Sequence, residues 1–171
     1  MAKFEGGFMK KIFFLLFFIS FSLQAIEQLL PAEKTAIFTS SCSNNKGDWI
    51  VASQIGAFLN GVLVLDNQQV GNNAVAKLNQ KGDWLVASQV GAYLNGIKLL
   101  SVGQVGAFVG AHLNEKKDWI VSGSLGVYVN GKMVLTNNQI GTHTSSWIDE
   151  NGNWIASGTK GAYKGTLADV Q

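Results

Sequence analysis

The sequence is poor in residues that fasten or kink a chain. Cys42 is the only cysteine among 171 residues, which excludes an intramolecular disulfide and leaves stability to packing and strand pairing. Pro31 is likewise alone, and with Ala32-Glu33-Lys34 it reads as a leader into the first strand. Arginine is absent and the lysines are scattered, so the preferred side chain for bidentate phosphate or guanine contacts is missing and a nucleic-acid partner is not expected. The two histidines, His112 and His143, fall at different positions of the repeat described below. No nucleophile with a base, paired carboxylates or metal-ligand cluster emerges, so the chain reads as a non-enzyme without cofactor or metal.

The one long apolar run stands near the start. Met9-Lys10-Lys11 precede Ile12-Phe13-Phe14-Leu15-Leu16-Phe17-Phe18-Ile19, followed by Ser20, Ser22 and Leu23-Gln24-Ala25. A basic start, an apolar stretch shorter than the roughly 20 residues of a membrane helix and a small residue at the cut have the layout of an export signal. Residues 1–25 are read as that signal, with Met1 or Met9 as the start, residues 26–35 as the leader and residues 36–171 as the repeat domain. The expected location is therefore secreted, periplasmic or at the cell surface. An uncleaved amino-terminal anchor is the alternative and would be the only attachment to a membrane. Without Lys3, Glu5, Lys10 and Lys11, the remaining lysines and acidic residues balance.

What the chain has in abundance is repetition. Gly82-Asp83-Trp84-Leu85-Val86-Ala87-Ser88 returns at Gly47–Ser53, at Lys117–Ser122 and at Gly152–Ser157, so that Trp49, Trp84, Trp119 and Trp154 recur every 35 residues. Nine residues further on stand Phe58, Tyr93, Tyr128 and Tyr163, and Gly56, Gly91, Gly126 and Gly161 match in the same way. A fixed period of this size marks units that bury their apolar faces only by leaning on neighbours. Trp84–Ser88 reads as a buried strand, Ala92–Leu94 as a second and Ile97–Leu100 as a third. The Asn95-Gly96 pair between the last two predicts a type I′ hairpin and recurs at Asn60-Gly61 and Asn130-Gly131. Ala107–Leu113 reads as a fourth strand.

The fold class is therefore all-β, with antiparallel four-stranded units repeated four times. Gln171 stands where the third strand of the last unit should end, and Ala36–Cys42 matches the missing fourth strand, which predicts closure of the last sheet by the first strand into a small propeller-like ring. A solenoid, an open meander or a barrel are the alternatives.

Glu150-Asn151-Gly152-Asn153-Trp154-Ile155-Ala156-Ser157-Gly158-Thr159-Lys160-Gly161-Ala162-Tyr163 resembles the repeat of two-component-regulator-type β-propellers, across all four units. That resemblance implies a sensor or binding platform, not a catalyst. Gln54-Ile55-Gly56, Gln69-Val70-Gly71, Gln89-Val90-Gly91, Gln104-Val105-Gly106 and Gln139-Ile140-Gly141 resemble the Gln-x-Gly turns of curlin, which implies a fibre subunit with side-chain ladders along a solenoid.

Candidate binding residues follow from the same alignment. Tyr93, Tyr128, Tyr163 and Trp147 are the aromatic candidates for a carbohydrate or another surface protein, with self-association also open. Trp147 replaces Cys42, Lys77 and His112 of the other units and should face outward if Ile148 faces inward. Cys42 is read as either a buried thiol or an outward one. The four repeated tryptophans are read as core in preference to a sugar-stacking platform, and the repeated glycines as structural. Asp48, Asp83 and Asp118 are read as turn caps in preference to a carboxylate ring around a cation, because Asn153 can cap without charge.

Overall fold

A computed structural model describes residues 27–37 and 39–170, so the expected signal segment lies outside the described residues. Three sheets have four strands and one has three, all antiparallel and in chain order. Sheet 1 is β1 (Ser40–Ser43), β2 (Trp49–Ser53), β3 (Gly56–Leu59) and β4 (Val62–Asp66); sheet 2 is β5 (Val75–Leu78), β6 (Trp84–Ser88), β7 (Gly91–Leu94) and β8 (Ile97–Leu100). Sheet 3 is β9 (Gly110–Leu113), β10 (Trp119–Gly123), β11 (Gly126–Val129) and β12 (Lys132–Thr136); sheet 4 is β13 (Ser145–Ile148), β14 (Asn153–Gly158) and β15 (Gly161–Thr166). No helix among the described residues is long and apolar enough to cross a membrane.

The hairpins form where the Asn-Gly pairs stand. Asn60, Asn95 and Asn130 have φ of 48°, 51° and 45°, each followed by a glycine at positive φ, as a type I′ turn requires. Each asparagine also ties back to the tryptophan strand: Asn95 Oδ1 accepts from the Trp84 N–H at 2.9 Å, and its Nδ2 donates to Asp83 Oδ1 at 2.8 Å. A register shift follows at the aromatic position in sheets 1 to 3, between Ala57 and Phe58, Ala92 and Tyr93, and Val127 and Tyr128. A bulge breaks strict alternation, which is how neighbours such as Val64 and Leu65, or Leu99 and Leu100, both pack inward.

Beyond β4 and β12 the chain makes single helical turns, α1 (Asn67–Val70) and α2 (Asn137–Ile140), each closed by a capping box. Gln69 Oε1 accepts from the Asp66 N–H, Gln104 Oε1 from Ser101 and Gln139 Oε1 from Thr136. These three glutamines of the Gln-x-Gly turns therefore serve their own turn locally.

Each sheet lays one face on the next, and three apolar clusters result. The first joins Ile50, Ala52 and Leu65 of sheet 1 to Ala76, Leu78 and Trp84 of sheet 2; the second joins Leu85 and Leu100 to Leu113 and Trp119; the third joins Ile120 and Leu135 to Ile148 and Trp154. The inner strands β1, β5, β9 and β13 approach in succession, while α1 and α2 supply Val70 and Ile140 as wedges between the diverging outer strands. Gly110 permits the close approach of β9 to β13, since a Cβ there would stand 3.0 Å from the Ser145 Cα. The array is propeller-like.

Among the described residues the expected closure by strand exchange is not found. Ser40–Ser43 pairs with Trp49–Ser53 of its own sheet, with Cys42 opposite Ile50, and sheet 4 keeps three strands. The reason is the turn: Asn44–Asp48 is a tight hairpin closed by Asn44 N–H to Asp48 O at 3.0 Å, so each strand before a tryptophan phrase belongs to the sheet that follows it. Ala107–Leu113, expected to end one unit, likewise opens the next through Gly110–Leu113. A 3-10 turn, Leu167–Val170, follows β15 in place of a fourth strand and buries Val170 in the third cluster. Among the described residues no apolar cluster joins sheet 4 to sheet 1: Ile155 is 48% exposed where its equivalents Ile50, Leu85 and Ile120 are fully buried. Among the described residues the array thus has three packed junctions and one open seam.

Candidate binding mouth

At one end of the array the residues just before the inner strands converge. Thr39, Asn73, Ala74, Val75, Phe108, Val109, His143 and Thr144, drawn from all four units, line one cavity of about 330 Å³. Asn73, Phe108 and His143 occupy the same place in the period, and all three sit in the left-handed region, at φ of 55°, 57° and 54°. Asparagine and histidine are among the residues that tolerate it; a phenylalanine there is strained.

Phe108 and His143 stack with ring centroids 4.0 Å apart and planes at 25°. The His143 loop is tied to the Phe108 backbone: Thr144 Oγ1 donates to the Phe108 carbonyl at 2.7 Å, and the Thr144 N–H reaches the same oxygen at 3.3 Å. Thr142 Oγ1 lies 3.2 Å from His143 Nδ1, which leaves Nε2 directed elsewhere. The side-chain amide of Asn73 has no hydrogen-bond partner among the described residues.

Farther along the inner strands stand Cys42, Lys77, His112 and Trp147. The His112 and Trp147 rings lie 5.5 Å apart, and His112 Nδ1 is buried without a partner among the described residues. Burial lowers the His112 pKa, helped by Lys77 and opposed by the Ile148 backbone and Glu150. Cys42 is half-buried, its Sγ 3.8 Å from the Leu78 carbonyl.

The opposite end carries a polar ladder. Asn44 Nδ2 donates to the Asn79 carbonyl, Asn79 Nδ2 to the Asn114 carbonyl and Asn114 Nδ2 to the Asp149 carbonyl, at 3.3, 3.1 and 2.8 Å. Each asparagine also meets the aspartate four residues on, as Asn44 meets Asp48 at 3.1 Å. In the last unit the pair is exchanged, Asn153 Nδ2 donating to Asp149 Oδ2 at 2.8 Å. A carboxylate at 149 has no N–H to pass onward, so the ladder stops there. Hydrogen bonds from Asn44 and Asn60 hold the Asp48 carboxyl below the usual carboxylate range. The expected capping role of Asp48, Asp83 and Asp118 passes to the asparagines: Asn44 Oδ1 accepts from the Lys46 and Asp48 N–H groups, and Asn79 and Asn114 do the same in their turns, while the aspartate oxygens accept from side-chain amides such as those of Asn44 and Asn60.

Of the aromatic candidates, Tyr93 and Tyr128 are core residues, 7% and 5% exposed, and cannot contact a ligand without unfolding. Tyr163 is half-buried and donates its hydroxyl to the Gln139 carbonyl at 3.2 Å. Trp147 is 48% exposed, on the face of β13 turned away from the buried Ile148, as expected. Trp84, Trp119 and Trp154 are buried and Trp49 half-buried. Gly56, Gly91 and Gly126 are required by the backbone: at Gly56, φ is 153° and a Cβ would meet the Leu65 carbonyl oxygen at 2.7 Å, whereas a Cβ at Gly161 would meet only the Tyr163 side chain. Sequence reasoning missed the mouth: Asn73, Phe108 and His143 differ at one period position, but so do Cys42, Lys77, His112 and Trp147, and variation alone did not single the mouth out. No family model, no curated protein and no solved structure matches the chain.

Proposed function

We propose that the chain is an exported, non-catalytic binding or scaffold module whose ligand is a carbohydrate or another surface partner. The observation that carries this reading is the mouth: a repeated frame brings four non-identical residue sets to one cavity. Repetition of the core with divergence at a shared concave surface is how a scaffold presents specific contacts. Export rests on the layout of residues 9–25. A glycan array and small-ligand screen with the purified chain should give a hit that maps to the mouth or to Trp147. Turnover of a substrate by the pure protein would overturn the reading.

A second reading, a structural fibre subunit, is favoured by the open seam, where Trp147 and Ile155 are each 48% exposed. Exposed apolar sheet faces invite association with other chains. That reading expects thioflavin-positive, detergent-resistant filaments; a monomer that stays clear for days at high concentration counts against it.

A further inference from the structure

We propose that the mouth takes one neutral pyranose ring, lying on the face of Phe108 turned away from His143 with its hydroxyl edge toward Asn73; this deepens the binding reading above and rests on it. No carboxylate, lysine or arginine lines the cavity among the described residues, so a charged ligand would enter without a counter-ion, at a desolvation cost. A neutral ligand with one apolar face avoids that cost. The mouth, about 330 Å³, is wide open to solvent and so offers one ring a surface to lie on and not an enclosing pocket.

Phe108 is the residue the fold does not need. It is 45% exposed, belongs to none of the apolar clusters and is held in a left-handed conformation that a bulky side chain adopts at a cost. Asn73, its equivalent in the preceding unit, occupies the same conformation with less strain. Stacking on His143 fixes the ring's orientation, and the Thr144 bonds to the Phe108 carbonyl fix the loop beneath it. A rigid, exposed aromatic face beside an unengaged amide is what a pyranose requires, with C–H groups on the ring and hydroxyls on the polar atoms. A flat aromatic ligand would use the face and leave the amide unsatisfied.

The test uses the full chain with glucose, galactose, mannose and N-acetylglucosamine, titrated by calorimetry and by shifts of the aromatic and imidazole NMR signals. At least one sugar should bind and shift the Phe108 and His143 signals. Phe108→Asn should weaken it at least tenfold with an unchanged or raised melting temperature, while Ile97→Ala, on an exposed outer strand, should bind like the parent. Sugar binding that survives Phe108→Asn unchanged overturns the proposal. Indole shifting the mouth signals while no sugar binds also overturns it, yet leaves the binding reading standing. If neither probe moves the mouth signals and no sugar binds, the mouth assignment falls, and the binding reading is left to the ligand screen and Trp147.

Discussion

Trp84 bears the packing of sheet 2 against sheet 1, being 7% exposed within the first cluster. Trp84→Ala should cost about 3 to 5 kcal/mol, the figure for a buried large aromatic. Trp49, half-buried beside the seam, should cost less, and equilibrium denaturation of the two variants would compare them; equal losses would contradict the packing order. The Asp83 carboxyl offers a pH test. Burial raises its pKa, but hydrogen bonds from Lys117, Asn95 and Asn79 outweigh burial and the net shift is downward. Its contribution to stability is therefore present above the unfolded value of 3.8 and lost as pH falls through the folded one. Asn95→Asp should invert the sign by placing a second carboxylate against Asp83 Oδ1, giving a protein weakened at neutral pH whose deficit shrinks in acid. For His112 the shift is also downward, so the unfolded chain binds the extra proton first. Stability should decline as pH falls below 6.5 toward the folded value and be level above it. His112→Gln should flatten that decline in denaturation series.

At the scale of elements, the local signals were legible and their phase was not. Trp84–Ser88 and Ile97–Leu100 occupy the ranges expected of them, because apolar runs bounded by Gly-Asp and Asn-Gly leave little choice of turn. Where the unit begins is a different matter. A period fixes the spacing of strands but not which neighbour each pairs with, and the deciding feature was the Asn44–Asp48 turn and its copies, whose side-chain bonds make hairpins. Tyr93 was misplaced for a related reason. Sheet 2 is covered on both faces, Tyr93 packing into the first cluster and its neighbour Ala92 into the second, and which sheets gain two neighbours is not written in the period. The pairing of β1 with β2 has a direct consequence. Deleting through Ser43 should uncover the β2 edge, remove the Ser40 hydroxyl that accepts from the Ala76 N–H at 3.1 Å, and give an aggregating protein, where a chain beginning at Ile26 stays soluble. Sedimentation of the two would decide, and equal solubility would show β1 to be dispensable.

For the whole molecule, the four units are alike in sequence and unlike in circumstance. Sheets 2 and 3 are covered on both faces, while sheet 1 has its leader, with Leu30 buried and Lys34 Nζ 5.8 Å from the centre of the Phe58 ring, and sheet 4 ends in the 3-10 turn at Leu167–Val170, which packs into the third cluster and leaves the Ile155 face uncovered. Atypical ends are what a repeat array needs for solubility; the exchange of Asn and Asp at 149 and 153 ends the ladder in the same place. The mouth could not be read from the sequence because convergence is a property of the array. A position that varies between repeats becomes a site only when the sheets splay outward and their inner ends meet.

The central claim, three packed junctions and one open seam, is tested most directly by native-state hydrogen exchange resolved by residue. Amides of the inner sheets, those of Val86 and Val121 among them, should open only with global unfolding. Their equivalents Val51 and Ala156 in the outer sheets should exchange faster through local opening, because one face of each sheet lacks a packed neighbour. Equal protection of the tryptophan strands in all four sheets would mean that sheet 4 packs on sheet 1 in solution, and the open seam would be wrong.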